Sequence, residues 1–332
     1  MCSSDLQVGV LSSTIFGGVS GSAVADASAI GSLLIPWQKR LGYPPAFSAA
    51  TLAAAATIDI LIPPSIPMIL FALSSNTSVA ALFVAGILPG LLMCGGFMAV
   101  CWWVGKRRNF PRDTRRLDWS VFSQQLLYAS PALVLPVLII IFLRFGIATP
   151  TEVSVLSTLY AGVISAAVYR DLGIKRLHAA VVEAGLATGV VLLVIMASAA
   201  IGWLLTFDHM PDGVVGWAKT HLDSGWTVIL LMNALMVVCG MFIDLPAAVL
   251  LLTPVFVPLA NAIGMDLVQL GIMMTVNLAI GLYTPPVGTT LFITSAVAKV
   301  KVGQTVRELG PFYLVAFGVL ALVSYVPASI LK

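Results

Sequence analysis

Three carboxylates and two small-residue turns carry the chemistry available to this chain. Asp26, Asp59 and Asp244 stand inside long apolar stretches, where an ionisable side chain is costly and functional by default. One turn reads Gly17-Gly18-Val19-Ser20-Gly21-Ser22-Ala23-Val24-Ala25-Asp26, and a second reads Gly240-Met241-Phe242-Ile243-Asp244-Leu245-Pro246. Glycine lets backbone carbonyls and amides approach an ion closely. Serine hydroxyls and carboxylates add hard oxygen donors. Downstream of each turn lies a Pro-Pro break in an apolar run, at Pro63-Pro64-Ser65 and at Thr284-Pro285-Pro286. Broken helices expose carbonyls that suit sodium, and half-helix N-termini suit an anionic substrate. Simpler roles compete with this chemistry. Asp26 and Asp244 could cap the helices that follow them, and the Gly/Ser runs could permit close helix packing. Asp59 has no such local role. Glu152, in Thr149-Pro150-Thr151-Glu152, reads as a helix cap, and Arg144 near a span end as a snorkelling side chain.

The elements that must position these residues occur twice. A shift of 222 residues maps Gly18 onto Gly240, Pro36 onto Pro258, Gly42 onto Gly264, Pro63 and Pro64 onto Pro285 and Pro286, and Pro89 onto Pro311. A duplicated apolar unit with an interrupted helix in each copy is the pattern of secondary transporters. Apolar segments fall at 7–37, 45–73, 79–104, 130–147, 151–169, 183–205, 225–260, 266–297 and 311–331. Segments 7–37 and 225–260 are each divided by a glycine-containing turn, which predicts two re-entrant hairpins. Non-helical backbone survives at membrane depth only when buried in protein or lining a watery cavity. Segment 45–73 is longer than the ~20 residues a span needs. Proline also removes a backbone donor and clashes with the preceding turn, so 45–73 and 266–297 are expected as pairs of half-helices. Segment 114–127, with Trp119, Phe122, Leu126 and Leu127 among polar residues, fits an interfacial helix or a tethering loop.

Composition leaves little room for another class. The chain has 332 residues, 59% of them hydrophobic and 9% charged, and a mean hydropathy of +1.04, where soluble domains carry about 25% charged residues. This is an all-α polytopic membrane protein. Its net charge of +3 gives no reason to expect nucleic acid. Two hairpins and seven full spans place 14 of the 17 basic residues on one face: Lys39, Arg40, the six from Lys106 to Arg116, Arg170, Lys175, Arg176, Lys299, Lys301 and Arg307. The loop 206–224 carries Asp208, Asp212 and Asp223 against Lys219. The positive-inside rule makes the first face cytoplasmic. The first hairpin then opens to the cytoplasm and the second to the outside, so the copies are inverted.

Enzymatic readings find no support. Gly-x-Ser-x-Gly, His-Glu-x-x-His, a P-loop and the motifs of intramembrane aspartyl proteases are all absent. A pore or scaffold does not account for inverted broken repeats. Cys2, Cys94, Cys101 and Cys239 form no Cys-x-x-Cys and read as small buried hydrophobes. His178, His209 and His221 are scattered, and no transition-metal site or organic cofactor is expected. Residues 1–6 do not look like a natural start, which suggests a fragment lacking its true beginning. The expected division is 7–104 as the first repeat, 105–224 as a cytoplasmic basic loop with connecting scaffold helices, and 225–332 as the second repeat.

At these motifs the chain resembles the large membrane subunit of tripartite ATP-independent periplasmic (TRAP) transporters, the DctM-like family. The matching stretches are Gly18–Asp26, Leu61–Met68, Thr149–Glu152 and Asn277–Gly288, and the resemblance runs from about residue 8 to the end. It implies an elevator-type fold of the wider ion-transporter superfamily in the bacterial inner membrane. It also implies sodium-driven symport of an organic acid, such as a dicarboxylate or sugar acid. A periplasmic substrate-binding protein would deliver the acid, and a small four-helix membrane subunit would complete the complex. One sodium would be held by Ser20, Gly21 and Ser22 with Pro63, Pro64 and Ser65; in this chain Asp59, on the reading of its own residues, is a further candidate for that site. A second would be held by Asp244, Gly281, Thr284, Pro285, Pro286 and Gly288. Substrate would sit between the hairpin tips, near Ser20, Ser22, Asp26, Asp244 and Thr289. One position departs from the family: Asp59 stands where a small residue, commonly glycine, is usual, and its partner under the 222 shift is Gly281. The runner-up is a stand-alone sodium- or proton-coupled carboxylate carrier, which needs no binding protein.

Overall fold

Glycine and proline positions dictate where the helices stop. The computed structural model describes residues 4–110, 119–221 and 224–326, and no strand occurs among them. The helix α1 (Ser4–Ser20) is followed after two residues by α2 (Ala23–Arg40). Gly21 makes the joint at φ +63°, a left-handed conformation that costs a residue with a Cβ. Ser22 then caps α2, its hydroxyl accepting from the Ala25 amide at 3.4 Å. The two helices pack together as a hairpin.

Next come α3 (Pro45–Ala55), a single 3-10 turn (Ala56–Ile58) and α4 (Ile66–Ser75). Between them runs irregular backbone through Pro63 and Pro64. From Phe47 to Ala55 every residue of α3 is buried. A helix that is apolar all round belongs in a core. Its 11 residues, at about 1.5 Å each, are too short to cross a bilayer alone. The helix α5 (Val79–Arg107) is long enough.

The second half repeats this order. Helices α10 (Gly225–Phe242) and α11 (Leu245–Ala262) flank a two-residue joint. The helix α12 (Leu267–Gly281), buried from Val268 onward, is separated from α13 (Thr289–Ala298) by an irregular stretch through Pro285 and Pro286. A short α14 (Val302–Glu308) leads, with a 58° bend, into α15 (Gly310–Tyr325). Ring contacts tie α3, α5 and α15 together at one end: Phe47 lies 5.8 Å from Phe312 in a tilted arrangement, and Phe97 lies 5.5 Å from Phe312 edge to face.

Residues 1–114 and 202–332 cluster as one compact unit and 115–201 as another. The second unit holds α6 (Trp119–Arg144), α7 (Pro150–Val163) with a π-turn (Ile164–Val168), and most of α8 (Ile174–Phe207). Within it Tyr160 donates to the Pro131 carbonyl at 2.8 Å and Tyr169 to that of Tyr128 at 2.9 Å. Thr149 and Glu152 form a reciprocal capping box at the start of α7, as the sequence suggested. Among the described residues, six helices are long and apolar enough to cross a membrane, or seven if the bent α14–α15 pair counts as one. This is a multi-pass membrane protein. The hairpin arms α10 and α11 are among the six, while the halves of the broken helices are apolar but each too short to cross alone.

Three local expectations need correction. Residues 119–127 continue into α6 rather than forming a separate interfacial helix, because nothing between Trp119 and Ser130 breaks the helix; residues 114–118 lie outside the described chain. The helix α8 starts at Ile174 rather than near 183, since the charged stretch after Gly173 holds no breaker. The loop 206–224 contains a further helix, α9 (Met210–His221), which packs on α11, and Val214 and Val215 on it are half-buried.

Candidate functional site

At the first break, Asp59 reaches across to the tip of the first hairpin. Its carboxylate accepts the Gly21 amide at 3.0 Å and the Ser22 amide at 2.9 Å, with the Ser20 hydroxyl beside it. These are charge-assisted bonds at the positive end of α2, and Asp59 is fully buried. The fit is close on both sides. A Cβ at Gly17 would stand 2.6 Å from the Asp59 Cα, and one at Gly21 would stand 2.5 Å from the Pro64 carbonyl oxygen. Ser65 caps α4, accepting from the Met68 amide at 3.4 Å and donating to the Ile60 carbonyl at 2.6 Å. Local cap roles and the proposed ion role thus fall on the same residues.

At the second break the hairpin tip lies directly on backbone. The Val287 amide donates to the Met241 carbonyl at 3.3 Å. A Cβ at Gly281 would meet the Gly240 carbonyl group, its carbon at 2.5 Å. Gly288 begins α13 at φ +35°. A half-open cavity of about 20 Å³ is lined here by Gly240, Asp244, Gly281, Gly288 and Thr289, among others. The Thr289 hydroxyl is buried without a hydrogen-bond partner. Thr284 instead donates to the Ile280 carbonyl at 2.6 Å, and Pro285 and Pro286 shape the turn.

Between the two tips lies a cleft of about 90 Å³, lined by residues 21–24, by Ile66 and Pro67, and by residues 244–246. Three helix N-termini converge on it: those of α2, α4 and α11. Each leaves amides that no helical carbonyl satisfies, so the cleft can accept an anion. Asp244 stands at its edge, exposed. It occupies the cap position of α11 but makes no capping hydrogen bond, so its carboxylate stays available.

The structure brings Gly21, Ser22 and Asp244 to the cleft, and Asp244, Gly281, Gly288 and Thr289 to the small cavity. Ser20, Asp59, Pro63, Pro64 and Ser65 gather at the first break behind the cleft. Asp26 is neither the cap of α2, which is Ser22, nor a cleft residue; it is fully buried one turn further along. Gly17, part of the turn read from the sequence, faces Asp59 from α1, whereas sequence reasoning missed Ser13, which approaches Asp26 from the same helix. It also missed Thr290, whose hydroxyl lies 2.9 Å from the Leu282 carbonyl and 3.1 Å from that of Ala53. That contact joins the two halves across 237 residues. The place of Thr290 in the first turn of α13, two residues after the Gly288 cap, is the one signal that could have drawn attention to it.

Residues 4–329 match the family model of the tripartite ATP-independent periplasmic transporter, DctM component. The chain is 36% identical over 327 residues to the 2,3-diketo-L-gulonate TRAP transporter large permease protein of Escherichia coli, covering 98% of this chain and 76% of that one. It is 35% identical over 321 residues to the C4-dicarboxylate TRAP transporter large permease protein of Pseudomonas aeruginosa, covering 96% and 74%. Among solved structures, the Alcanivorax borkumensis YdaH transporter superposes with a TM-score of 0.59 over 96% of this chain and 82% of that one, at 17% identity. That likeness concerns the fold.

Proposed function

From the premise that this chain belongs to the DctM family of TRAP transporter large permeases, we propose that it imports an organic acid with sodium as the coupling ion. The chain is a multi-pass inner-membrane transporter component and not an enzyme. The observation that carries sodium-coupled import is the arrangement at the two tips. Three helix N-termini face one cleft, which suits a carboxylate. A cavity of about 20 Å³ beside it offers glycine carbonyls, the unpartnered Thr289 hydroxyl and the uncapped Asp244, which suit a small hard cation. An acid bound in the cleft and a sodium bound next to it offset each other's charge, which is the physical basis of coupling. The substrates named for the relatives, a diketogulonate and a C4-dicarboxylate, are also acids.

In this reading the hairpins and broken helices of 7–104 and 225–332 form the sliding transport body, and helices within 105–224 contribute to the scaffold. A small membrane subunit and a periplasmic binding protein complete the complex. The test is uptake by the chain reconstituted with both partners in liposomes, against a panel of dicarboxylates and sugar acids. Uptake should require external sodium. If it persists when potassium replaces sodium and the proton gradient is collapsed, sodium coupling is wrong. Equal uptake without the binding protein would favour a stand-alone carrier.

A further inference from the structure

Asp26 lies on α2 with none of its surface exposed, and both of its carboxylate oxygens lack a hydrogen-bond partner. The Ser13 hydroxyl, 1% exposed, approaches it from α1 without closing an ordinary hydrogen bond, and it too has no partner. Asp59 is near enough to repel Asp26. Three polar oxygens therefore stand buried and unsatisfied beside a second carboxylate.

Among the described residues, the elements packed most closely on α2 supply no counter-charge. The elements packed on α2 are α1, α3, α13 and the 3-10 turn that precedes Asp59. Asp5 is the only titratable residue on α1, and it accepts from the Tyr43 hydroxyl at 2.9 Å. Neither α3 nor α13 carries a titratable group, and Asp59 follows the 3-10 turn directly. Lys39 and Arg40 sit at the far end of α2, roughly 20 Å along the helix from Asp26. Asp59 differs from its neighbour in having two amide donors of its own.

Buried charge without a partner is strongly disfavoured. We propose that Asp26 and Ser13, at the interface of the first hairpin's two arms, bind a monovalent cation of sodium size, separate from the ions expected at the two breaks. The cation supplies what all three oxygens lack and screens the repulsion between Asp26 and Asp59. A single proton would serve only one Asp26 oxygen. A transition metal is disfavoured because no cluster of three His, Cys, Asp or Glu residues occurs among the described residues. Asp26 is one turn from the tip, its amide bonded to the Ser22 carbonyl at 3.0 Å, so occupancy here would order the turn that faces the substrate cleft.

This proposal rests on the sodium-coupled reading, and radioactive sodium binding to the full chain with its small subunit in lipid nanodiscs separates the two. Parent, Asp26→Asn, Ser13→Ala and Asp244→Asn are compared for stoichiometry and affinity. Asp26→Asn is expected to bind one sodium fewer than the parent while the other sites still fill. Ser13→Ala is expected to keep the count and weaken one site several-fold. A parent-like count and affinity in Asp26→Asn overturns this site and leaves sodium coupling standing. A parent that binds no sodium at all overturns both. If Asp26→Asn does not fold, Ser13→Ala decides, and unchanged sodium affinity in it refutes the proposal.

Discussion

Replacing Gly281 by alanine tests whether the tip of the second hairpin sits on the second break. Gly281 is buried near the end of α12, and its φ is not in the left-handed region, so alanine adds one methyl group without backbone strain. That methyl would lie 2.5 Å from the Gly240 carbonyl carbon and 2.8 Å from its Cα. Ordinary carbon–carbon contact begins near 3.5 Å. The two backbones must separate by about 1 Å, and the atoms in the way are main chain, which cannot rotate aside. Overpacking of this kind costs about 1–3 kcal/mol. The same displacement opens the cavity of about 20 Å³ that Gly240 and Gly281 help to line. Gly318→Ala, where nothing lies within 4 Å of the added methyl, is the matched control. Thermal melting of the purified protein and sodium titration of uptake give the readout. Gly281→Ala should melt lower and need a higher sodium concentration for half-maximal uptake, while Gly318→Ala behaves as parent. If the two variants match each other in both assays, the close approach of tip and break is wrong.

Gly21→Ala meets two penalties, a left-handed φ of +63° and a methyl 2.5 Å from the Pro64 carbonyl oxygen; each costs on the order of 1 kcal/mol or more. Uptake near the parent level in reconstituted vesicles would contradict the described turn. Asp59→Asn keeps the shape but turns an NH2 donor toward one of the two amides of Gly21 and Ser22. It should cost about 1–3 kcal/mol and loosen the first hairpin, measured as faster amide exchange at residues 20–23. Protection equal to the parent would show that Asp59 does not hold the tip. Asn233→Ala removes bonds to Ser324 at 3.0 Å and from Asn277 at 2.8 Å. Its cost of about 1–3 kcal/mol should appear in melting alone, because no site residue is involved. A changed sodium dependence per folded molecule would implicate that network in coupling.

Much of this architecture follows from local rules. Proline cannot donate to a helix, and glycine tolerates a left-handed turn, so Pro63-Pro64, Pro285-Pro286 and Gly21 mark breaks and a tip without any neighbour being known. Hydropathy over about 20 residues located the spans for the same reason. Where tertiary contact could outvote such rules, the sequence was silent or misleading. The helix in 206–224 exists against a background of two glycines, Gly213 and Gly216, because it packs on α11. Asp59 stood out in the sequence as a costly intramembrane carboxylate. Its partners, however, are amides 37 and 38 residues away, and amides carry no residue identity that a motif could show. Asp26 looked like a helix cap or a substrate ligand, and only packing of α1 against α2 buries it beside Ser13. Likewise the convergence of three helix N-termini on one cleft depends on how the hairpins dock. Local backbone chemistry says where a helix ends, whereas side-chain packing between distant segments decides what that end faces.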